Sequence, residues 1–74
     1  MYKTDIEINT EFITLTNLLK YSGLIASGGQ AHELIEEGRI KLNNVVVFEK
    51  RKKVYPGDSV EMDGQEILNI VAEK

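Results

Sequence analysis

Seventy-four residues with nine Lys and Arg against twelve Asp and Glu make one small domain of net charge −3, able to bury only a thin core. With no cysteine, it can form neither a disulfide nor a zinc–thiolate site. The start, MYKTDIEINTEF, lacks the basic flank and apolar run of a signal peptide, and no apolar run approaches the roughly 20 residues of a bilayer span, so a soluble cytoplasmic chain with no membrane partner is expected.

Residues 2–8, YKTDIEI, alternate around Ile6 and Ile8 and predict a short edge strand. Thr14 then precedes Leu15, Leu18 and Leu19, apolar at helical spacing, and Gly23 stands where a helix stops. This predicts a helix over residues 15–22 with Thr14 as its cap. Leu24 and Ile25 continue the apolar surface. Ser27 lies three residues before Gln30, the S-x-x-Q capping box in which each side chain satisfies a free backbone N–H. A second helix is therefore predicted over residues 28–37, with Ala31, Leu34 and Ile35 inward and His32, Glu33, Glu36 and Glu37 outward. Gly38 supplies its left-handed end.

Strands follow. IKL and VVV flank Asn43-Asn44, a two-residue hairpin turn, because asparagine tolerates positive φ. Pro56-Gly57-Asp58 is a turn, and residues 60–62 meet residues 67–71 across Asp63-Gly64. The order predicts an α+β domain over residues 1–74, two short packed helices followed by a small antiparallel sheet.

Charge is segregated along the chain. Residues 1–38 hold two bases and six acids (−4), residues 39–53 six bases and one acid (+5), and residues 54–74 one base and five acids (−4). Screening confines charge interactions to about 8–10 Å in physiological salt, so a local basic window can take a polyanion on an acidic chain. With the Asn43-Asn44 turn, Leu42 pairs with Val45, Lys41 with Val46, Ile40 with Val47 and Arg39 with Phe48. Ile40, Leu42, Val45 and Val47 then point into the core. Arg39, Lys41, Val46 and Phe48 share the outer face, followed directly by Glu49, Lys50, Arg51, Lys52 and Lys53. An exposed aromatic among cations suits phosphates and one unpaired base. The same pattern also fits solvated cations that protect a sheet edge, or a patch that docks an acidic protein.

Gly28 and Gly29 open the second helix, each at a cost of about 1 kcal/mol relative to alanine in a helix interior. Close packing accounts for them, bare N–H groups left for a phosphate oxygen also account for them, and the two are compatible. No phosphate-loop pattern G-x-x-x-x-G-K is present. Catalysis has little to build on: His32 reads as a surface residue, the acid pairs lack a pocket, and one histidine with scattered carboxylates specifies no metal or cofactor site.

L-x-x-L-L at Leu15–Leu19, G-L-I-x-S-G-G-Q-A-x-x-L-I-x-x-G-x-I-x-L-N at Gly23–Asn43 and K-x-Y-P-G-D at Lys53–Asp58 resemble the S-four RNA-binding domain, the alpha-L motif. The Ser-Gly-Gly-Gln-Ala version is similar to a stand-alone bacterial subgroup typified by YaaA and YbcJ. The match covers residues 14–61. The resemblance implies two helices against a small sheet, with the helix pair and the next hairpin forming a surface for structured RNA, ribosomal or transfer. It also implies association with ribosomes or their assembly intermediates, and no chemistry of its own. Ser27, Gln30, Arg39, Lys41, Asn43 and Lys53 fall on positions of the family pattern. Thr14, Leu15 and Thr16 replace its Arg-Leu-Asp, and Gly28 replaces the arginine after its serine. The hairpin and the segment after it, Arg39, Lys41, Lys50, Arg51, Lys52 and Lys53, are therefore expected to neutralise the phosphates, with Phe48 and Lys20 beside them and Gly28 and Gly29 adding N–H groups.

Overall fold

Alternation in the strands and i, i+3, i+4 spacing in the helices aim one face of every element at a common core. The computed structural model describes residues 2–73; Met1 and Lys74, the ends of the domain expected over 1–74, lie outside the described residues. The elements are β1 (Tyr2–Ile8), β2 (Ile13–Thr14), α1 (Leu15–Tyr21), α2 (Gly28–Glu36), β3 (Ile40–Leu42), β4 (Val45–Val46), β5 (Lys53–Val54), β6 (Ser59–Met62) and β7 (Glu66–Ala72).

The five-stranded sheet runs β1-β7-β6-β3-β4. Its hairpins β3–β4 and β6–β7 are antiparallel as expected, and the pairs Leu42–Val45 and Lys41–Val46 hold. The sheet is nonetheless mixed. β1 pairs parallel to β7 from Tyr2–Glu66 to Ile8–Ala72, which corrects the wholly antiparallel expectation. β1 was expected at an edge and lies there, but its partner is the last strand of the chain, and periodicity names no partner. A second sheet, unforeseen, joins β2 to β5 through Ile13–Val54 and Thr14–Lys53.

Leu15, Leu18 and Leu19 of α1 and Ala31 and Ile35 of α2 pack on Ile6, Ile8, Ile40, Val60, Met62, Leu68 and Ile70 of the sheet. Ile25 and Val54 close the core, and Leu34, Leu42 and Val47 lie half-buried against it. Val45 is the exception to the predicted inward set, at 64% exposed. β4 is a two-residue strand at the edge of the sheet, exposed at both positions.

The helix ends show which local signals hold. Asn43 and Asn44 take φ of 51° and 71°, the left-handed pair the turn demands. After α2, Gly38 at φ 73° donates its N–H to Ile35 O and Arg39 donates to Leu34 O, a full Schellman motif. At the start of α2 the Gln30 N–H reaches Ser27 Oγ at 3.3 Å, but Gln30 Oε1 accepts from Ala26 N rather than from Ser27 N. Thr14 occupies the cap position of α1, yet its side chain makes no capping bond. Carbonyls from a distant segment do that work instead: Leu15 N donates to Lys52 O at 2.8 Å and Thr16 N to Lys50 O at 3.2 Å.

Candidate nucleic-acid interface

Those two carbonyls place the basic segment. Thr16 Oγ1 adds a third bond to Lys50 O at 2.7 Å, and Lys53 pairs with Thr14. Lys50, Arg51, Lys52 and Lys53 are thus laid across the start of α1 by backbone contacts. Arg51 and Lys53 are exposed and Lys50 and Lys52 half-buried.

The charge segregation read along the chain is partly undone in space. Arg39 donates from Nη2 to Asp63 Oδ2 at 2.8 Å and from Nη1 to Glu37 Oε1 at 3.1 Å, and its Nε also bonds Asp63. These bonds, that to Asp63 foremost, raise the guanidinium pKa above its ordinary value. Lys41 faces Glu61 across the sheet at 3.9 Å, and Lys50 meets Glu36 at 2.5 Å. The hydrogen bond and charge of Lys50 hold the Glu36 carboxyl below the usual carboxylate range. In the basic window, Arg51, Lys52 and Lys53 are therefore the cations without a carboxylate partner among the described residues.

Phe48 lies as expected on the outer face and is 64% exposed. Its ring rests against Gly38, where an added Cβ would stand 3.4 Å from Phe48 Cε1. That seat fixes one face and leaves the rest of the ring to solvent, next to the Glu36–Lys50 end of α2. Asn43 serves the fold: Nδ2 donates to Asp58 Oδ1 at 3.1 Å, and Oδ1 accepts from Ser59 N at 3.0 Å. Asn43→Ala removes both bonds and leaves a β-carbon at positive φ. A loss of about 2–3 kcal/mol is expected in urea unfolding.

Ser27, Gly28, Gly29 and Gln30 form the opposite end of the helix pair. Nine residues of α2 put them about 13 Å from the Glu36–Lys50 end. The glycines are not there for packing: a Cβ on Gly29 would meet nothing within 4 Å, and one on Gly28 only Lys20 Nζ at 4.0 Å. Neither takes a positive φ. Gly29→Ala is accordingly expected to stabilise the free protein by about 0.5 kcal/mol, read from thermal unfolding. Lys20, reaching over from α1, brings a cation to the place where the family pattern has an arginine after the serine.

One feature of this surface escaped the sequence reading. Extending the β2–β5 register by a residue sets Phe12 opposite Tyr55. Their ring centroids lie 5.9 Å apart, and Lys53 Nζ sits 4.8 Å over the Phe12 ring. The only sequence signal was an aromatic beside each strand, readable once the pairing of those strands is known. No group of three or more His, Cys, Asp or Glu suited to a metal occurs among the described residues, and no described helix is long and apolar enough to cross a membrane.

Two helices on one face of a mixed sheet, with a cationic segment tied to the first helix, define a small α+β domain of the alpha-L kind. The chain belongs to the S4 domain family, whose family model matches residues 6–70. It is 39% identical over 59 residues to the "Probable ribosome maturation protein RlbA" of Bacillus subtilis (strain 168), a match spanning 80% of this chain and 83% of that one. It is 36% identical over 55 residues to the "Putative RNA-binding protein YbcJ" of Escherichia coli (strain K12), covering 74% and 79%. The fold is shared with 30S ribosomal protein S4e of Thermoplasma acidophilum at a TM-score of 0.65 and 24% identity, over 76% of this chain and 30% of that one.

Proposed function

We propose that this domain binds structured RNA and performs no chemistry on it. The observation that carries the reading is the set of cations without a carboxylate partner among the described residues, Arg51, Lys52 and Lys53, held by backbone bonds at the start of α1 in a chain of the S4 domain family. Phosphates lie along this segment, an unpaired base stacks on exposed Phe48, and Lys20 with the N–H groups of Gly28 and Gly29 takes a further phosphate across the helix pair. Ser27 and Gln30 shape that second contact, while Arg39, Lys41 and Lys50 contribute less because carboxylates already hold them. Cations read RNA by shape rather than by base edges. The name of YbcJ supports RNA binding, and that of RlbA supports ribosomal RNA, or an intermediate of ribosome maturation, over transfer RNA, and hence a cytoplasmic protein.

The test is an NMR titration of the labelled chain with a structured RNA hairpin, a DNA duplex serving as control. Shifts confined to residues 20, 27–30 and 39–53 and stronger for RNA are the expected result. Silence toward both nucleic acids at low salt overturns the reading and turns attention to an acidic protein partner for the same patch.

A further inference from the structure

A cleft of about 510 Å³ opens between the end of β1 and α1, lined by Ile8, Phe12, Ile13, Asn17, Tyr21 and the carboxylates Glu7 and Glu73, among others. Its volume falls in the range of about 300–1,000 Å³ typical of ligand sites. We infer that this cleft docks an arginine-bearing, extended segment of a basic protein, an interaction separate from the RNA surface.

The walls argue for a cation. Among the described residues, Glu7 and Glu73 are the charged residues of the lining, which includes no Lys or Arg. Glu7 pairs with Val71, and Glu73 N donates to Ile8 O at 2.8 Å. Glu7 lies between the buried Ile6 and Ile8 and Glu73 two residues past Val71, so both carboxylates stand on the face of the sheet away from the core, at the rim of the cleft. Such a pair repels phosphate, which sets the cleft apart from the cationic segment beside it. Asn17 and Tyr21 lie four apart on α1, so both side chains present to the same opening, and Tyr21 is 64% exposed. Arginine suits a cleft with carboxylates at its rim and a tyrosine on its wall, because its guanidinium plane stacks on a ring and its N–H fork pairs with carboxylate oxygens.

The edge of the sheet supplies room for the rest of the segment. β1 is an outer strand, so its outward backbone groups have no strand partner among the described residues. An extended peptide lying along that edge would send a side chain over Glu7 into the cleft. Proteins that neutralise RNA phosphates are themselves rich in Arg and Lys. A cationic segment next to an anionic cleft therefore lets one small domain hold RNA and a basic protein together.

The experiment uses the labelled full chain without RNA, so its failure leaves the RNA reading standing. A Gly/Ser decapeptide carrying two arginines is titrated against the same peptide with citrulline, the neutral isostere. Saturable shifts at residues 9–14, 17 and 21 with the arginine peptide alone are expected. Binding should weaken at least tenfold in Glu7→Gln/Glu73→Gln and in Tyr21→Ala, all exposed positions whose change spares the core. Equal shifts with citrulline, undiminished binding by the variants, or unsaturable shifts spread over Glu33 and Glu61 as well would each overturn the inference.

Discussion

Replacing Arg51, Lys52 and Lys53 together by glutamine lowers affinity for a structured RNA about a hundredfold near 0.15 M salt, each lost phosphate contact being worth about fivefold there by counterion release. The fold should survive, because this segment caps α1 through the carbonyls of Lys50 and Lys52, which glutamine keeps. With Lys20, these three give four unpaired cations, so the native chain should show a slope of log affinity against log salt near about −3, flattened to about −1 in the triple variant. Fluorescence anisotropy across a salt series measures both. Arg39→Gln/Lys41→Gln offers the contrast: those cations already face Asp63, Glu37 and Glu61, and only a few-fold loss is expected. Lys52→Glu should weaken every RNA alike. A changed preference among RNAs with an unaltered salt slope would sink the phosphate mechanism.

Leu18→Ala is expected to cost about 2–5 kcal/mol, the usual range for a buried leucine truncated in a core. Leu18 is fully buried in α1, and at roughly 0.05–0.15 kcal/mol per residue the whole domain holds only about 4–11 kcal/mol. The variant therefore sits near the edge of folding, and its urea midpoint should fall by a large fraction. Leu24→Ala, at a position 43% exposed, should change stability by less than about 0.5 kcal/mol. The loss at Leu18 also reaches the interface, since α1 carries Lys20 and anchors residues 50–52. RNA affinity measured on the folded fraction should drop in step with hydrogen-exchange protection at Leu15 and Thr16. Unchanged protection there would mean that the basic segment is held independently of the helix.

Local chemistry was readable where one residue decides one conformation. Asn43-Asn44 set the hairpin and its register, Gly38 ended α2, and Ser27 capped it, because positive φ and a short polar side chain are properties of single residues. The apolar spacing of Leu15, Leu18, Leu19, Ala31 and Ile35 marked the core faces of both helices. The glycines at 28 and 29 were legible as a departure from helix propensity, but their surroundings were not. Open space around Gly29 is what removes packing as the reason for them.

By itself, then, the sequence determined the two helices, the hairpin turns, the outward face of Phe48 and the concentration of cations between residues 39 and 53. Only the tertiary structure decided which of those cations stay free. Asp63, Glu61 and Glu36 come from other turns, strands and helices, and charge pairing acts over a few ångströms in space whatever the separation along the chain. The same holds for the parallel pairing of β1 with β7 and for the cap on α1. Each joins residues far apart in sequence, whose hydrogen-bonding groups are alike in every strand and turn and carry no mark of their eventual partner.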